Sequence, residues 1–366
     1  MEPIRTAQVV GKMMNGGVES VVMNYYRHID RSRIQFDIIA DEDSTYIPYE
    51  EIESLGGRVY VVPPYQKLNK YIPALISLFK ENNYKIVHSH INTLSVFPLY
   101  AAKRAGVPAR IAHNHSTAAK GETKKNILKY TLRPFAKLYA TNYAACSKYA
   151  GEWLFGKKSM ERGEVTVFNN AIDLNKFRFN ENIRNEVRRE LGVEDKFVIG
   201  HVGRFCYQKN QDLLLDIFAE VCKRDIDAVL LLIGDGDDRK RIEEKAGKIS
   251  SGKVLFLGNR NDVYRLYQAM DVFVMPSRYE GLGMVAVEAQ MCGVKTVVST
   301  AVPTEAEISE NIKFVDLSDG IDAWISAILS GDSGNIVTES SYEVYDISVQ
   351  AKKLTEYYVS LIKLSQ

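Results

Sequence analysis

Residues 271–293 read DVFVMPSRYEGLGMVAVEAQMCG, and they indicate the fold class. The first residues, DVFVM, are apolar and rich in valine, which predicts a short buried strand. Gly281 and Gly283 predict a tight turn, and MVAVEAQM predicts a helix that ends before Gly293. A strand that leads through a glycine-rich turn into a helix is typical of βαβ units, so the stretch predicts a parallel α/β sheet.

The same alternation of strands and helices extends over the rest of the chain. Strand-like runs recur before residue 173 as IRTAQVV, FDIIA, RVYVV, KIVHSH, PARIAH and TNYAAC, and after residue 196 as FVIGHVG, AVLLLIGDG, KVLFLGN, KTVVST and KFVDL. A chain of 366 residues also exceeds what one hydrophobic core supports. We therefore expect two Rossmann-like, doubly wound domains that face each other across a cleft.

Composition places the domain boundaries. Residues 1–172 are predicted to form the N-terminal domain and residues 197–341 the C-terminal domain. Residues 173–196 are charged and poor in large apolar side chains, which predicts a linker with one exposed helix. Residues 342–366 have apolar side chains at helical spacing and are expected to form a long C-terminal helix that packs back on the lobes.

Composition and termini favour a soluble cytoplasmic protein. Hydrophobic residues make up 46% and charged residues 25% of the chain, and no run approaches the roughly 20 apolar residues of a membrane span. The N-terminal MEPIRTAQVV lacks the features of a secretion signal. The four cysteines form no CxxC pair, which favours buried thiols over disulfides or a zinc knuckle.

The glycine turn and its flanking carboxylates suggest a ligand site. Backbone N–H groups at the start of a helix favour phosphate oxygens, so a diphosphate fits the turn from Gly281 to Met284. Glu280 precedes this turn and Glu288 lies about one helical turn inside the helix, and carboxylates accept hydrogen bonds from vicinal hydroxyls. Glycoside hydrolysis is the rival chemistry, but it needs two carboxyls that flank one bond.

The pattern E-G-x-G-x-x-x-x-E from Glu280 to Glu288 resembles the donor motif of retaining glycosyltransferases of family 4, which have the GT-B fold. Other segments agree in order along the chain: Asn15-Gly16-Gly17, Asn169 to Asp173, Gly203-Arg204-Phe205 with Lys209-Asn210, and Leu257-Gly258 with Asp262-Val263. The segments CSKYAGEWLFG and VFNNAIDLNKF resemble the branch associated with exopolysaccharide and capsule assembly.

The resemblance implies a role for each matching residue. Glu288 would hold the ribose of a nucleotide-sugar donor, expected to be a UDP-sugar, and Glu280 would contact the donor sugar. Arg204 and Lys209 would neutralise the leaving diphosphate, and His113, with His115 as the alternative two residues on, would lie beside the donor sugar and the acceptor. Further donor-binding positions are Gly17, Gly203, Arg260, Leu282, Gly283 and Met284, and Asn15, Gly16 and His115 belong to the acceptor side.

The implied chemistry transfers a sugar with retention of anomeric configuration and without a metal ion or other cofactor. The first domain offers no obvious carboxylate nucleophile, which agrees with a front-face mechanism driven by positioning and electrostatics. Two H-x-H pairs, His88 with His90 and His113 with His115, leave zinc binding as an alternative, although no cysteine or acidic cluster completes such a site. Neither a Walker A loop nor a G-x-G-x-x-G dinucleotide motif is present.

A basic segment suggests a further surface. Lys125, Lys129, Arg133 and Lys137 recur every four residues, which predicts a basic stripe on an amphipathic helix within residues 120–139. This predicts peripheral contact with an anionic membrane on its inner face, whereas an ordinary surface helix that buries its apolar side is the alternative. Nucleic acid is a weaker explanation because the whole chain carries a net charge of only +1.

These observations predict a glycosyltransferase that acts on a lipid-linked or growing glycan in polysaccharide biosynthesis. One alternative is a transferase or phosphorylase with a small soluble acceptor. A second alternative is a non-catalytic nucleotide-sugar-binding scaffold subunit, which would have no need to keep Arg204, Lys209, Glu280 and Glu288.

Overall fold

The computed structural model describes residues 2–14, 17–117, 123–224, 226–250, 252–331 and 343–363, with the backbone alone for residues 123–125. The predicted acceptor-side residues Asn15 and Gly16 lie outside the described residues. The chain divides into two compact units, Met1–Ile172 with Glu343–Gln366 and Asp173–Tyr342. In the described part of the chain, no helix combines the length and apolar character needed to cross a membrane.

The first unit contains a seven-stranded parallel sheet. Its strands are β1 Ile4–Gly11, β2 Ile34–Asp41, β3 Arg58–Val62, β4 Ile86–Ser89, β5 Ala109–Asn114, β6 Asn142–Ala145 and β7 Val165–Val167. They lie in the order β3-β2-β1-β4-β5-β6-β7. The order reverses between β1 and β4, and such a switch point opens a crevice at the carboxyl ends of the strands.

Helices cover both faces of this sheet. They are α1 Gly17–His28, α2 Tyr49–Ser54, α3 Leu68–Glu81, α4 Val96–Arg104, α5 Thr123–Leu132, α6 Lys148–Phe155 and α7 Lys157–Glu161, with 3₁₀ turns at Tyr65–Lys67, Asn92–Ser95 and Arg133–Phe135. Strands buried on two faces have near-continuous apolar sequences. Each of the eight residues of strand β2 is buried, although Gln35, Asp37 and Asp41 among them are polar.

The second unit repeats the architecture with six parallel strands. They are β8 Phe197–Val202, β9 Ala228–Ile233, β10 Lys253–Gly258, β11 Val272–Met275, β12 Lys295–Ser299 and β13 Ile312–Val315, in the order β10-β9-β8-β11-β12-β13. The helices are α8 Leu174–Phe177, α9 Glu181–Leu191, α10 Gln211–Cys222, α11 Arg239–Ala246, α12 Val263–Ala269, α13 Met284–Met291 and α14 Gly320–Leu329, with a 3₁₀ turn at Thr304–Ala306. The predicted pair of Rossmann-like units is confirmed.

The segment expected to be a linker, residues 173–196, belongs to the second unit instead. Helix α9 is capped by Asn180, whose side chain accepts from two backbone N–H groups, and it ends at Gly192 in the left-handed conformation. Its Arg188 is buried and donates to Asp271 and to the carbonyl of Ala269. Sequence composition hid this packing because two arginines of α9, Arg184 and Arg188, make its hydrogen bonds to residues 268–271.

The C-terminal helix, α15 Ile347–Lys363, packs on the first unit, against α1. Ile347, Leu354 and Tyr358 join the core that α1 and β2 form. The ring of Tyr358 lies edge-on to Phe36 of β2, with centroids 6.1 Å apart. The chain therefore ends in the unit in which it began, and Tyr358 reaches the interior of that unit.

Candidate active site

The loops after β8 and β11 meet at the switch point of the second sheet. Strands β8 and β11 are neighbours although about 70 residues separate them, and their pairing brings Gln208 to Arg278 and Tyr279. The N–H of Arg278 donates to the carbonyl of Gln208 over 2.8 Å, and Gln208 Nε2 donates to the carbonyl of Tyr279 over 2.9 Å. These bonds join the two loops that carry most of the predicted donor site.

Lys209 and Glu280 form an ion pair across these loops. Lys209 Nζ lies 2.7 Å from Glu280 Oε1, and the side chains are 15% and 7% exposed. Among the described residues, the second carboxylate oxygen of Glu280 has a single long contact, 3.4 Å from Gln208 Nε2. Lys209 thus keeps N–H groups for an anion, and Glu280 keeps acceptor capacity for a hydroxyl.

The turn before α13 has the geometry expected of a phosphate cradle. Gly283 has φ +80°, in the left-handed region, and a Cβ there would lie 3.2 Å from both Met275 Cε and Val302 Cγ1. Glycine is therefore required at this position for backbone and packing reasons. Helix α13 begins directly afterwards at Met284, so its first N–H groups lack intrahelical partners and favour an anion.

Glu288 lies one turn into α13 and is held by a tyrosine. The hydroxyl of Tyr267 is 2.9 Å from Glu288 Oε2. Burial raises the pKa of Glu288 to about 7, although the Tyr267 hydrogen bond and the charge of Lys209 lower that pKa. The carboxyl therefore titrates near neutral pH, where its ionised form is the one that accepts two hydrogen bonds from a diol.

The remaining predicted donor residues occupy the same edge of the sheet. Arg204 is exposed just after β8, next to Gly203. The glycine turn after β9 approaches closely, because a Cβ on Gly234 would lie 2.2 Å from the carbonyl oxygen of Gly203. Arg260, in the loop after β10, is bound by both oxygens of Asp262 at 2.7 and 2.6 Å, so its guanidinium is already engaged.

Within the described residues, the structure brings together Lys209, Glu280, the Gly283 turn and Glu288. Leu282 is buried in that turn, and Met284 supplies the first residue of α13. In the first unit, Gly17 begins α1, and a Cβ placed there would meet no described atom within 4 Å.

In the first unit, four histidines form one buried network at the ends of β4 and β5. His88 Nε2 lies 3.0 Å from His113 Nδ1, and His90 Nδ1 lies 2.9 Å from His115 Nε2. The rings of His113 and His115 stack with centroids 3.9 Å apart. Burial lowers the pKa of every one of the four, that of His115 to about 3, so the imidazoles are neutral.

The ring nitrogens of this network have the spacing of a metal site, but those of His88 and His90 form hydrogen bonds within the protein. Ring nitrogens of His88, His90 and His113 lie within 4.8 Å of one another. Both nitrogens of His88 are engaged, with His113 and with the Tyr358 hydroxyl at 2.6 Å, and both of His90 are engaged, with His115 and with Gln8 Oε1 at 2.9 Å. A bound ion would have to replace these hydrogen bonds.

The two candidate catalytic histidines differ in position. His113 lies inside β5, is 4% exposed and contacts His88 and Phe168. His115 follows the last residue of β5 and is partly exposed, and its backbone N–H donates to Asn92 Oδ1 over 2.6 Å. His115 thus occupies the carboxyl edge of the sheet, where α/β folds bind ligands.

The predicted basic stripe is not one helical surface. Helix α5 ends at Leu132 and a 3₁₀ turn follows, so Lys137 leaves the row. Lys129 donates to the carbonyl of Thr117, Arg133 lies 5.3 Å from the ring centroid of Trp153, and Lys137 donates to Ser159. The side chain of Lys125 lies outside the described residues.

The exposed side of this segment is apolar instead. Its large hydrophobic side chains are 40% to 62% exposed: Ile127, Leu128, Tyr130, Phe135 and Leu138. This differs from both sequence alternatives, because the membrane prediction rested on the cations and the surface-helix alternative had the apolar side packed inward.

Sequence reasoning missed three polar residues that support the site. Gln8 and Tyr358 hold the histidine network, and Tyr267 holds Glu288. Gln8 left one signal, since it is a polar residue inside the apolar run IRTAQVV and is fully buried. The sequence gives no such signal for the two tyrosines, because an aromatic residue at helical spacing is normally interpreted as part of the hydrophobic core.

The arrangement in the second unit suits recognition of a phosphorylated, hydroxyl-rich ligand. It combines the N-terminus of α13 and Glu288 on that helix with Lys209 and Glu280 from two adjoining loops. Charge that develops on a departing phosphate would be stabilised there without reorganisation of the protein.

Comparisons with known proteins agree with this geometry. A family model described as "Glycosyltransferase Family 4" matches residues 15–176, and one described as "Glycosyl transferases group 1" matches residues 183–321. The chain is similar to Anabaena Alr3699/HepE, solved in complex with UDP and glucose, with a TM-score of 0.72 and 20% identity over 99% of this chain and 98% of that one. At this identity the likeness concerns the fold.

Two relatives cover most of the chain. One is the UDP-Gal:alpha-D-GlcNAc-diphosphoundecaprenol alpha-1,3-galactosyltransferase of Escherichia coli, 25% identical over 98% of this chain and 97% of the relative. The other is EpsF of Bacillus subtilis (strain 168), named as a glycosyltransferase, which is 36% identical over 332 residues, 88% of this chain and 86% of the relative. With this identity over most of its length and a family model on each unit, the chain belongs to the family 4 glycosyltransferases, enzymes of the GT-B fold.

Proposed function

We propose that this glycosyltransferase moves a sugar from a UDP-sugar to a hydroxyl of a lipid-linked or growing glycan, with retention of configuration and without a metal ion. The observation that carries the proposal is the Lys209–Glu280 pair beside the Gly283 turn. It supports a diphosphate and a sugar bound side by side. The relative named as a diphosphoundecaprenol galactosyltransferase supports a lipid-linked acceptor.

In the proposed step the bond from the anomeric carbon to the diphosphate oxygen breaks, and a bond to the acceptor oxygen forms on the same face of the sugar. The acceptor proton passes to the departing phosphate, so the products are UDP and the new glycoside. Lys209 and Arg204 offset the negative charge that grows on the phosphate, which is the role a metal ion plays in other transferases.

The two carboxylates divide the recognition of the donor. Glu288, ionised above its raised pKa of about 7, accepts hydrogen bonds from the ribose hydroxyls, and Glu280 accepts from the sugar. At the edge of the first unit, His115 takes the place expected of His113 and contacts a hydroxyl. His113 supports it by stacking.

A panel of UDP-, GDP- and ADP-sugars, each offered with a polyprenyl-diphosphate sugar in detergent, tests the proposal. We expect release of UDP only when both substrates are present and an α-linked product from an α-linked donor, read by NMR of the anomeric proton. Consumption of a small soluble acceptor alone would favour the alternative transferase or phosphorylase. Donor binding without turnover on any acceptor would favour the scaffold.

We also propose that the exposed apolar side of residues 126–139 inserts into the membrane that holds the lipid-linked acceptor. Each large side chain that leaves water contributes about 1.5–3 kcal/mol, so the five exposed residues of this segment suffice for reversible binding. The neighbouring cations make internal contacts, and apolar insertion therefore outweighs charge in this contact.

A further inference from the structure

A chain of hydrogen bonds in the first unit begins at a backbone carbonyl and ends at His115. The carbonyl oxygen of Gln35 lies 3.2 Å from Thr6 Oγ1. A carbonyl oxygen can only accept, so the Thr6 hydroxyl is the donor of this bond. The geometry thus assigns the single hydroxyl proton of Thr6 to Gln35 and leaves the lone pairs of Oγ1 for Gln8.

The second bond sets the orientation of an amide. Gln8 Nε2 lies 2.7 Å from Thr6 Oγ1, which has no proton left to donate and must accept. The NH₂ group of Gln8 therefore faces Thr6, and Oε1 faces His90 Nε2 at 2.9 Å. These contacts assign the oxygen end of the amide to His90, a choice that the shape of the side chain leaves open.

The third and fourth bonds determine which ring nitrogen carries the proton in His90 and in His115. His90 Nε2 donates to Gln8 Oε1, and a neutral ring has one N–H, so His90 Nδ1 accepts. Its partner at 2.9 Å is His115 Nε2, which must donate. His115 Nδ1 is then left as a bare lone pair, and this nitrogen is buried without a hydrogen-bond partner among the described residues.

We propose that Thr6, Gln8 and His90 are positioning residues that hold His115 as the Nε2–H tautomer, so that Nδ1 accepts a hydrogen bond from a sugar hydroxyl. The hydroxyl as ligand rests on the proposed function, whereas the tautomer rests on the hydrogen bonds alone. Without a proton, Nδ1 of His115 cannot donate to a phosphate oxygen. The hydrogen bonds from Thr6 to His115 therefore favour a hydroxyl over a phosphate as the ligand at this position. An unpartnered buried acceptor is costly, and a bound hydroxyl relieves that cost.

Long-range ¹H–¹⁵N NMR of the full chain labelled with ¹⁵N-histidine reads the tautomer without substrate. In the wild type we expect His115 as Nε2–H. Thr6→Val removes the acceptor that orients Gln8, so the amide can turn its NH₂ to His90 and reverse both rings, and His115 should populate the Nδ1–H form. Thr6→Ser keeps the hydroxyl, and Gln8→Glu keeps an acceptor towards His90, so both should retain Nε2–H.

Thr296→Val is the matched control, because Thr296 is fully buried and donates to a carbonyl in the second unit, 3.0 Å from Val294. It should leave the tautomer of His115 unchanged. With donor and acceptor, Thr6→Val should lower kcat about tenfold at unchanged KM for the donor, and Thr6→Ser should restore kcat.

His115 as Nδ1–H in the wild type would overturn the proposal, and this result needs no variant to fold. So would a folded Thr6→Val protein in which His115 remains entirely Nε2–H. If His115 has the expected tautomer in the wild type and in the variants but the wild type turns over no nucleotide sugar, the proposed function is wrong. The proposal that Thr6, Gln8 and His90 set the tautomer would still hold.

Discussion

Lys209 Nζ lies 2.7 Å from Glu280 Oε1, although 71 residues separate the two along the chain. The contact places the cation proposed for the leaving diphosphate against the carboxylate proposed for the donor sugar. Substitutions at this pair are therefore expected to change both the stability of the second unit and the rate of transfer. Single and double variants can distinguish the two effects.

Lys209→Met should destabilise the second unit and abolish transfer. The change leaves the largely shielded Glu280 carboxylate without its cation, at a cost of about 2 kcal/mol, somewhat below the ~3–5 kcal/mol of a fully buried pair. Loss of the cation should lower kcat about 100-fold or more. Urea unfolding and initial rates of UDP release measure the two effects.

The double variant Lys209→Met/Glu280→Gln should regain most of the stability and remain inactive, because no unpaired charge is left but the cation is still missing. Lys196→Met removes a surface pair with Asp227 and should change neither quantity appreciably. A Lys209→Met enzyme with near wild-type kcat would contradict the role given to this residue.

Glu288 should make stability depend on pH. Its pKa is about 7 in the folded protein against an ordinary 4.5, so the folded state binds more protons between these values and stability falls as pH rises through that window. Glu288→Gln imitates the neutral carboxyl and should be more stable than wild type above pH 7, by about 1–3 kcal/mol, and equal to it below pH 4.5. Thermal unfolding at a series of pH values shows the difference; parallel curves would mean that the carboxyl does not titrate in this range.

Tyr267→Phe should weaken donor binding near neutral pH. The hydroxyl of Tyr267 lowers the pKa of Glu288, so its removal raises that pKa and leaves less of the ionised carboxylate at pH 7. We expect a loss of about 3- to 10-fold in UDP-sugar affinity at pH 7 that shrinks at higher pH. Tyr264→Phe on the same helix is the control for calorimetric titration, and an equal loss at all pH values would point to packing instead.

Removal of divalent metal should not affect the rate. In the proposed mechanism Lys209 and Arg204 provide the positive charge, and the nitrogens of His88 and His90 are occupied by hydrogen bonds. Initial rates after dialysis against EDTA should equal those with added Mg²⁺, Mn²⁺ or Zn²⁺. Activity that vanishes on chelation and returns with one ion would reinstate metal-assisted transfer.

Ile127→Glu/Phe135→Glu should abolish membrane association, because two exposed apolar side chains of the segment proposed to insert become charged. Wild-type protein should float with liposomes of neutral as well as anionic lipid, with weak dependence on salt. Val349→Glu, at another exposed apolar position in the first unit, is the matched control. Flotation with anionic lipid alone would restore the electrostatic contact predicted from the cations.

Much of the fold is local in the sequence, and the sequence alone was enough to predict it; the residues proposed for the donor site are also close together along the chain. The strands are contiguous apolar runs, Gly283 is the residue type a left-handed turn requires, and Glu280 and Glu288 lie eight residues apart on one turn and helix. Such features depend on backbone preference and periodicity, which neighbouring residues determine.

What only the tertiary structure decided involves partners far apart in the chain. The pairing of β8 with β11 brings Lys209 to Glu280, and the return of α15 to the first unit brings Tyr358 to His88. The exposed side of α5 also depends on which neighbours pack against it. Strand order and packing select these contacts, since no local pattern records which distant side chain fills the space beside a buried polar atom.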